Sequence, residues 1–320
     1  MPDGCGSNPV AGRVLPGGAT DPGPMSAPVS VADQPVAPLI DWATAELVTH
    51  GLTVTGAEEI RRRDWTLLAR IHTTGPTMWA KASARAFAHE GALVRCLDRI
   101  APGSVLKPVA VHRDNGWMLN PDGGETMRSG PLDRIVGSGA AAPAPRPPEW
   151  DAVLRRYAGL QYSLCARTET LRATGTPYLP PSRLVDIYRR FAGRAPGLEY
   201  AIAAAADELE RFDRISLEHN DLYPGHVFRA GGAIFDWGDA ILTHPFLSIR
   251  THTDPGRAAY FDAWRAHTAI SDREIALSAR LAPLTTLHSW LTIDTAPGRP
   301  AERFAPFVTD MLDRLRTGFT

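Results

Sequence analysis

The sequence predicts an α+β protein of two unequal lobes, a small antiparallel sheet followed by a larger, mostly helical body. Three observations carry the prediction. Residues 52–82 hold three short runs rich in Thr, Val, Ile and Leu, separated by a charged turn at Arg61–Trp65 and by Thr74-Gly-Pro76, the pattern of consecutive antiparallel strands. From Trp150 onward apolar residues recur at three- and four-residue intervals, the spacing of helices with one buried face. Between these halves lies a turn-rich stretch, Asn120-Pro-Asp-Gly-Gly-Glu-Thr-Met127, suited to joining two lobes.

Each element follows in order. Residues 1–38 are rich in Pro, Gly, Ala and Ser, have no apolar period and read as a loosely packed tail. A first helix is expected over Asp41–His50, with Asp41 as N-cap and Gly51 as stop. The strands follow as Thr53–Thr55, Thr66–Ile71 and Thr77–Lys81. Ala84–Ile100 reads as a helix with Phe87, Leu93, Val94 and Leu97 near one face and Glu90 in its first half. Val105–Val111 and Gly116–Leu119 read as two more strands. This sets a first lobe at 39–120, a hinge and Ala/Pro-rich flexible insertion at 121–148, and a helical lobe at 149–320. Helices are expected there over Trp150–Thr174, Pro181–Phe191, Gly197–Phe212, Pro245–Thr251, Arg257–Thr268, Asp272–Leu281, Leu284–Asp294 and Ala301–Arg316. One short hairpin, Val227-Phe228 against Ile234-Phe235, should turn at Gly231-Gly232.

Composition narrows the function classes. A net charge of -1 over 320 residues gives no polyanion-binding signal, so nucleic acid is not expected as a partner. No apolar run approaches the roughly 20 residues of a membrane span, and the first residues lack a basic-plus-apolar leader, so a cytoplasmic protein is expected. The three cysteines, Cys5, Cys96 and Cys165, have no metal-like spacing and suggest a reducing compartment. Nearly every basic residue is Arg; the only lysines are Lys81 and Lys107. An ammonium meets phosphate as a point charge where a guanidinium meets it as a fork, so the Lys kept at the end of the third strand is a candidate phosphate contact. Lys107 has no motif around it and reads as a surface residue.

The chemistry is concentrated in Leu217-Glu-His219-Asn-Asp221-Leu-Tyr-Pro-Gly-His226-Val-Phe228, followed by Ala233-Ile-Phe-Asp236-Trp-Gly-Asp239. His-x-Asp, a possible ligand five residues on, then a strand running into Asp-x-Gly matches a phosphoryl-transfer constellation. In such sites one Asp orients the attacking hydroxyl and the other holds magnesium. His219 reads as a structural His that shapes this loop through its ring hydrogen bonds.

These motifs resemble those of the aminoglycoside phosphotransferase-like family of small-molecule kinases, whose segments often read His-Gly-Asp-Leu-His-Pro-Gly-Asn and Ile-Asp-Trp-Gly. The likeness runs from about Thr53 to the C-terminus. It implies a protein-kinase-like two-lobed fold and transfer of the γ-phosphoryl group of ATP or GTP to a hydroxyl of a small molecule, such as a sugar, aminoglycoside or nucleoside. It implies Asp221 as the catalytic residue, Lys81 on the nucleotide phosphates and paired with Glu90, and Asp236 on Mg2+. Adenine would dock on the hinge; Pro121 has no N–H, which leaves Asn120 or Asp122 as the donor. The turn Arg61–Trp65 would lie over the phosphates.

Two positions depart from the pattern: Tyr223 stands where a second His is common, and His226 where a metal-binding Asn is expected. Imidazole suits Mn2+ or softer ions better than Mg2+. Three outcomes stay open: water in place of one ligand, a preference for manganese, or a pseudokinase that binds nucleotide without turnover. A rival from another class is a metal-dependent hydrolase ligated by His219, Asp221, His226, Asp236 and Asp239, which leaves Lys81 and Glu90 without a role. Acceptor recognition is expected from Asp239, Asp254, Asp262, His288, Trp290 and Asp294. Acids and arginines are interspersed there, so no acidic pocket for a polycation is visible.

Overall fold

The computed structural model describes residue 31 and residues 34–128, 146–293 and 300–320, without the side chains of 293 and 300–304. The tail to residue 30, most of the Ala/Pro-rich insertion and Asp294 lie outside the described residues.

The first lobe is a five-stranded antiparallel sheet in the order β1-β2-β3-β5-β4, formed by β1 (Val54–Arg63), β2 (Thr66–Thr73), β3 (Met78–Ser83), β4 (Ala110–Val111) and β5 (Met118–Pro121). Period-two alternation buries Leu67, Ala69 and Ile71 of β2 and Met78, Ala80 and Ala82 of β3. These residues meet Leu39, Ala43 and Leu47 of helix α1 (Ala37–Thr49) in one apolar cluster. The same alternation turns Trp79, Lys81 and Ser83 to the opposite face. Helix α1 begins four residues before the expected Asp41 because Pro38 occupies its first turn, where a missing N–H costs nothing.

Two expectations for this lobe are corrected. Arg61, Arg62 and Arg63 belong to β1, paired with Leu68, Leu67 and Thr66, and only Asp64 and Trp65 form the turn. Arg62 is spent on Glu59 and on the carbonyl of Gln34. The helix expected from Ala84 is broken into a single turn at Arg85–Phe87 and helix α2 (Glu90–Ile100), which places Glu90 in its first turn.

The second lobe is helical: α3 (Trp150–Leu164), α4 (Thr168–Arg172), α5 (Leu184–Arg189), α6 (Glu199–Glu210), α7 (Ile249–Thr253), α8 (Arg257–His267), α9 (Asp272–Leu281), α10 (Pro283–Ile293) and α11 (Pro300–Phe319). Two cores hold it. Trp150, Tyr157, Trp237, Phe246, Tyr260 and Trp264 join α3 and α8 to the loop segment and reach Leu93 and Leu97 of α2, which ties the lobes together. Leu184, Ile202, Leu209, Leu277, Leu284 and Leu312 join α5, α6 and α9–α11. A two-stranded ladder, β6 (Ser216–Glu218) with β7 (Ile241–Thr243), is not marked by any alternation in the sequence because both strands are wholly buried.

Candidate active site

The ladder β6–β7 brackets the motif segment, so that His219–Asp221 leave one strand and Asp236–Asp239 enter the other. Between them the hairpin forms where expected: Val227 bridges Ile234, and Gly231 and Gly232 take the left-handed turn at φ 71° and 65°. Asn220 and Asp236 are also left-handed, at φ 65° and 62°. Such backbone persists only where its surroundings over-determine it. For Asn220 they do: its N–H donates to Glu218 Oε1, and its Nδ2 to the Thr285 carbonyl and Ser289 Oγ.

Lys81 unites the lobes. Its Nζ lies 2.8–2.9 Å from the Glu90 carboxylate and 2.5 Å from Asp236 Oδ1, a residue distant in sequence. Glu90 is 2% exposed. Burial alone would lower the Lys81 pKa, but Asp236 and Glu90 together raise it, so the ammonium stays charged. Burial raises the Glu90 carboxyl against the pull of Lys81. Burial also opposes ionisation of Asp236, yet Lys81 and His226 hold that carboxyl well below the usual range.

His219 is a scaffold. Its backbone N–H donates to the Tyr157 hydroxyl, its Nε2 donates to the Phe235 carbonyl, and its ring lies 4.6 Å from that of Trp237. Burial pushes its imidazole down to about 4, so it is neutral. His226 differs. Its Nδ1 donates to the Asp221 carbonyl at 2.8 Å, and its Nε2 faces Asp236 Oδ2 at 3.3 Å. A carbonyl only accepts, so neutral His226 would oppose an Nε2 lone pair to a carboxylate oxygen. A proton or a cation has to stand between them. Burial works against protonation here, but Asp236 and Asp221 outweigh it and raise the His226 pKa.

That pair is also the test of the expected metal. Magnesium is commonly held by one or two protein groups, with phosphate oxygens and waters completing its shell. Asp236 Oδ2 and His226 Nε2 fit such a site, with an imidazole where an oxygen is usual. The hydrolase ligand set is not assembled. Among the described residues no three His, Cys, Asp or Glu side chains form a group able to hold a metal ion, and His219 Nε2 is bound to backbone.

Asp221 is held by a residue that sequence reasoning missed. Arg250 of α7 places Nε 2.8 Å and Nη2 2.6 Å from Asp221 Oδ1, and its guanidinium lies over the Tyr223 ring. No motif surrounds Arg250, so no signal could have singled it out among so many arginines.

At the hinge, Val109 N–H donates to Leu119 O, so Leu119 faces β4 and its neighbour Asn120 faces Trp79 of β3. Asp122 N–H donates to Thr77 O. Neither expected donor therefore turns away from the sheet. Gly123 follows, with the Phe228 ring directly against it, so that a Cβ at this position would run into the ring. Phe228 in turn stacks on Phe235 at 4.4 Å.

The expected acceptor residues divide. Asp239 joins the site, half-buried; burial, with Asp221 and Asp236 nearby, pushes its carboxyl up to about 7. Asp262 does not: it is on the solvent face of α8, paired with Arg265. Asp254 accepts from Trp150 Nε1 and the Gly256 N–H, a loop anchor. Trp290 stacks on Phe307 of α11. Helix α10 reaches the loop after β6 through Ser289, between His288 and Trp290, whose Oγ accepts from Asn220 Nδ2. Lys107 is exposed, as expected.

No protein-family model and no curated protein matches the chain. Solved structures do. Choline kinase LicA from Streptococcus pneumoniae superposes with a TM-score of 0.58 at 14% identity, over 88% of this chain and 98% of that one. Macrolide 2'-phosphotransferase type I gives 0.53 at 16% identity, over 88% and 95%. The GDP and kanamycin complex of APH(2")-IIia gives 0.54 at 14% identity, over 88% and 98%. The likeness is one of fold: this chain has the two-lobed α+β architecture of small-molecule phosphotransferases and choline kinases, as the sequence motifs led one to expect.

Proposed function

We propose that this chain transfers the γ-phosphoryl group of ATP or GTP to a hydroxyl of a small molecule. One observation carries the reading: Lys81 Nζ joins Glu90 and Asp236 across the two lobes, on the wall that also holds Asp221 through His226. Structural neighbours that bear phosphotransferase and kinase names, one of them complexed with GDP, support it.

In this reading Lys81 meets the nucleotide phosphates, and Asp236 with His226 would hold a divalent cation, magnesium or manganese, that neutralises phosphate charge. The base docks on the hinge. Asn120 and Asp122 were the expected donors; with Asp122 N–H on Thr77, the Pro121 carbonyl and Gly123 N–H are the groups we assign to the base edge. Asp221 orients the acceptor hydroxyl and takes its proton late. The hydroxyl oxygen bonds to the γ-phosphorus while the bond to the β–γ bridging oxygen breaks, releasing the nucleoside diphosphate. A cytoplasmic location belongs to the same proposal; among the described residues no helix is long and apolar enough to cross a membrane.

The test is nucleotide consumption screened against sugars, aminocyclitols and nucleosides, beside an Asp221→Ala control. The reading expects acceptor-dependent consumption that the control abolishes. Consumption indifferent to both acceptor and Asp221 would refute it.

A second reading, a nucleotide-binding protein without turnover, is favoured by one feature: Lys81 and His226 between them engage both oxygens of Asp236. It expects saturable nucleotide binding with no consumption, and turnover gained in His226→Asn.

A further inference from the structure

Arg250 holds Asp221 by one oxygen. Nε and Nη2 both reach Oδ1, while Oδ2 is 3.8 Å from His226 Nδ1 and outside hydrogen-bond distance of it. The guanidinium is fixed from a second side by the Tyr223 ring, 5.2 Å below it. About half of the Arg250 side chain remains exposed, at 48%, so it is wall and not core.

We propose that Arg250 is a positioning and specificity residue: it aims Asp221 Oδ2 at the acceptor hydroxyl, and by matching the charge of Asp221 it selects neutral or anionic acceptors over cationic ones. The inference rests on the phosphotransferase reading and narrows its substrate class. A free catalytic carboxylate would attract an ammonium group carried beside the acceptor hydroxyl. Here that charge is already met by a fork whose proton is not lost at any physiological pH. An ammonium approaching Asp221 meets a guanidinium at the same oxygen, and like charges at that range repel. A carboxylate or phosphate on the acceptor instead finds the exposed part of the Arg250 guanidinium.

The inference separates this chain from one structural neighbour complexed with the polyamine kanamycin. It also gives the Tyr223 departure a purpose. A ring at this position carries the flat face of a guanidinium, a stacking role that the aromatic quadrupole favours.

The experiment measures kcat/KM for three acceptors on one scaffold: a neutral hexose, its amino sugar and its uronic acid. The full chain is compared with Arg250→Gln and Arg250→Lys. The wild-type chain is expected to favour the neutral or acidic sugar over the amino sugar by at least about tenfold. Arg250→Gln should reduce that ratio by a similar factor. Arg250→Lys keeps the charge and loses the fork, so it should keep the preference while kcat falls. An amino sugar preferred by the wild type, or a ratio unchanged in Arg250→Gln, overturns the proposal and leaves the phosphotransferase reading standing. A chain that neither transfers to any acceptor nor hydrolyses nucleotide overturns both.

Discussion

Asp236 and Asp221 both present a carboxylate to the candidate site, but the first is gripped by Lys81 from β3 and His226 from the loop after β6, and the second by one half-exposed guanidinium from α7. Around Asp236 the partners are themselves tied: Lys81 to buried Glu90, and His226 to the Asp221 carbonyl. Around Asp221 the restraint is a single fork stacked on Tyr223. In the proposed reading the nucleotide side is over-determined and the acceptor side is not. A side built on one exposed contact can change its substrate by changing one residue, without cost to the core.

The largest expected effect falls on the over-determined side. Lys81→Ala leaves Glu90 and Asp236 without their cation. Removing one member of a buried ion pair costs about 3–5 kcal/mol. Urea unfolding should show a loss of that order and nucleotide titration a loss of binding; wild-type stability in this variant would break the comparison. Next comes Gly123→Ala. The new methyl meets the Phe228 ring, and overpacking of this kind costs about 1–3 kcal/mol. Nucleotide affinity should fall about tenfold with the acceptor KM unchanged, as read by calorimetry and initial rates.

A smaller effect appears in pH. Burial holds His252 down to about 4, with its Nε2 donating to the Phe246 carbonyl. The unfolded chain takes up the proton first, so this stabilisation is complete above the unfolded value near 6.5 and is lost as pH falls toward 4. Glu218, which burial pushes up to about 7, acts in the opposite sense: its contribution is complete below roughly 4 and lost as pH rises through 7. His252→Gln should flatten the acid-side loss by roughly 3 kcal/mol, measured as urea midpoints from about pH 7 down to about pH 4. The smallest effect is expected for Tyr223→Phe, which keeps the ring beneath Arg250 and should change kcat/KM by less than about threefold. Tyr223→Ala, with no ring, should change it more.

The same asymmetry explains what could be read from the sequence. His219, Asp221 and Asp236 stand at fixed spacing in one continuous stretch, and Lys81 ends a strand whose alternation is plain, so the fold and the meeting of Lys81 with Asp236 were legible. Glu90 was legible as a helix acid, although the break at Ala88–His89 that makes it a first-turn residue was not. The proposed acceptor side is assembled from separate helices. Arg250 and Ser289 reach the loop only because α7 and α10 pack where they do, and nothing local distinguishes them from neighbours such as Asp262, which faces solvent. The arginine-rich turn failed for another reason: β-pairing of Arg61–Arg63 with Thr66–Leu68 was stronger than the turn signal their charge suggested. The hinge donors failed because a strand's N–H directions alternate, and composition does not say which way a given one points.

The most direct test of the cleft is the fate of a labelled γ-phosphoryl group in a single turnover, with protein in excess over nucleoside triphosphate and hydroxyl acceptors present. Label should appear on the acceptor with the wild-type chain and stay on the nucleotide with Asp221→Asn, which still binds it. Label passing to the acceptor at the same rate with Asp221→Asn would contradict the account.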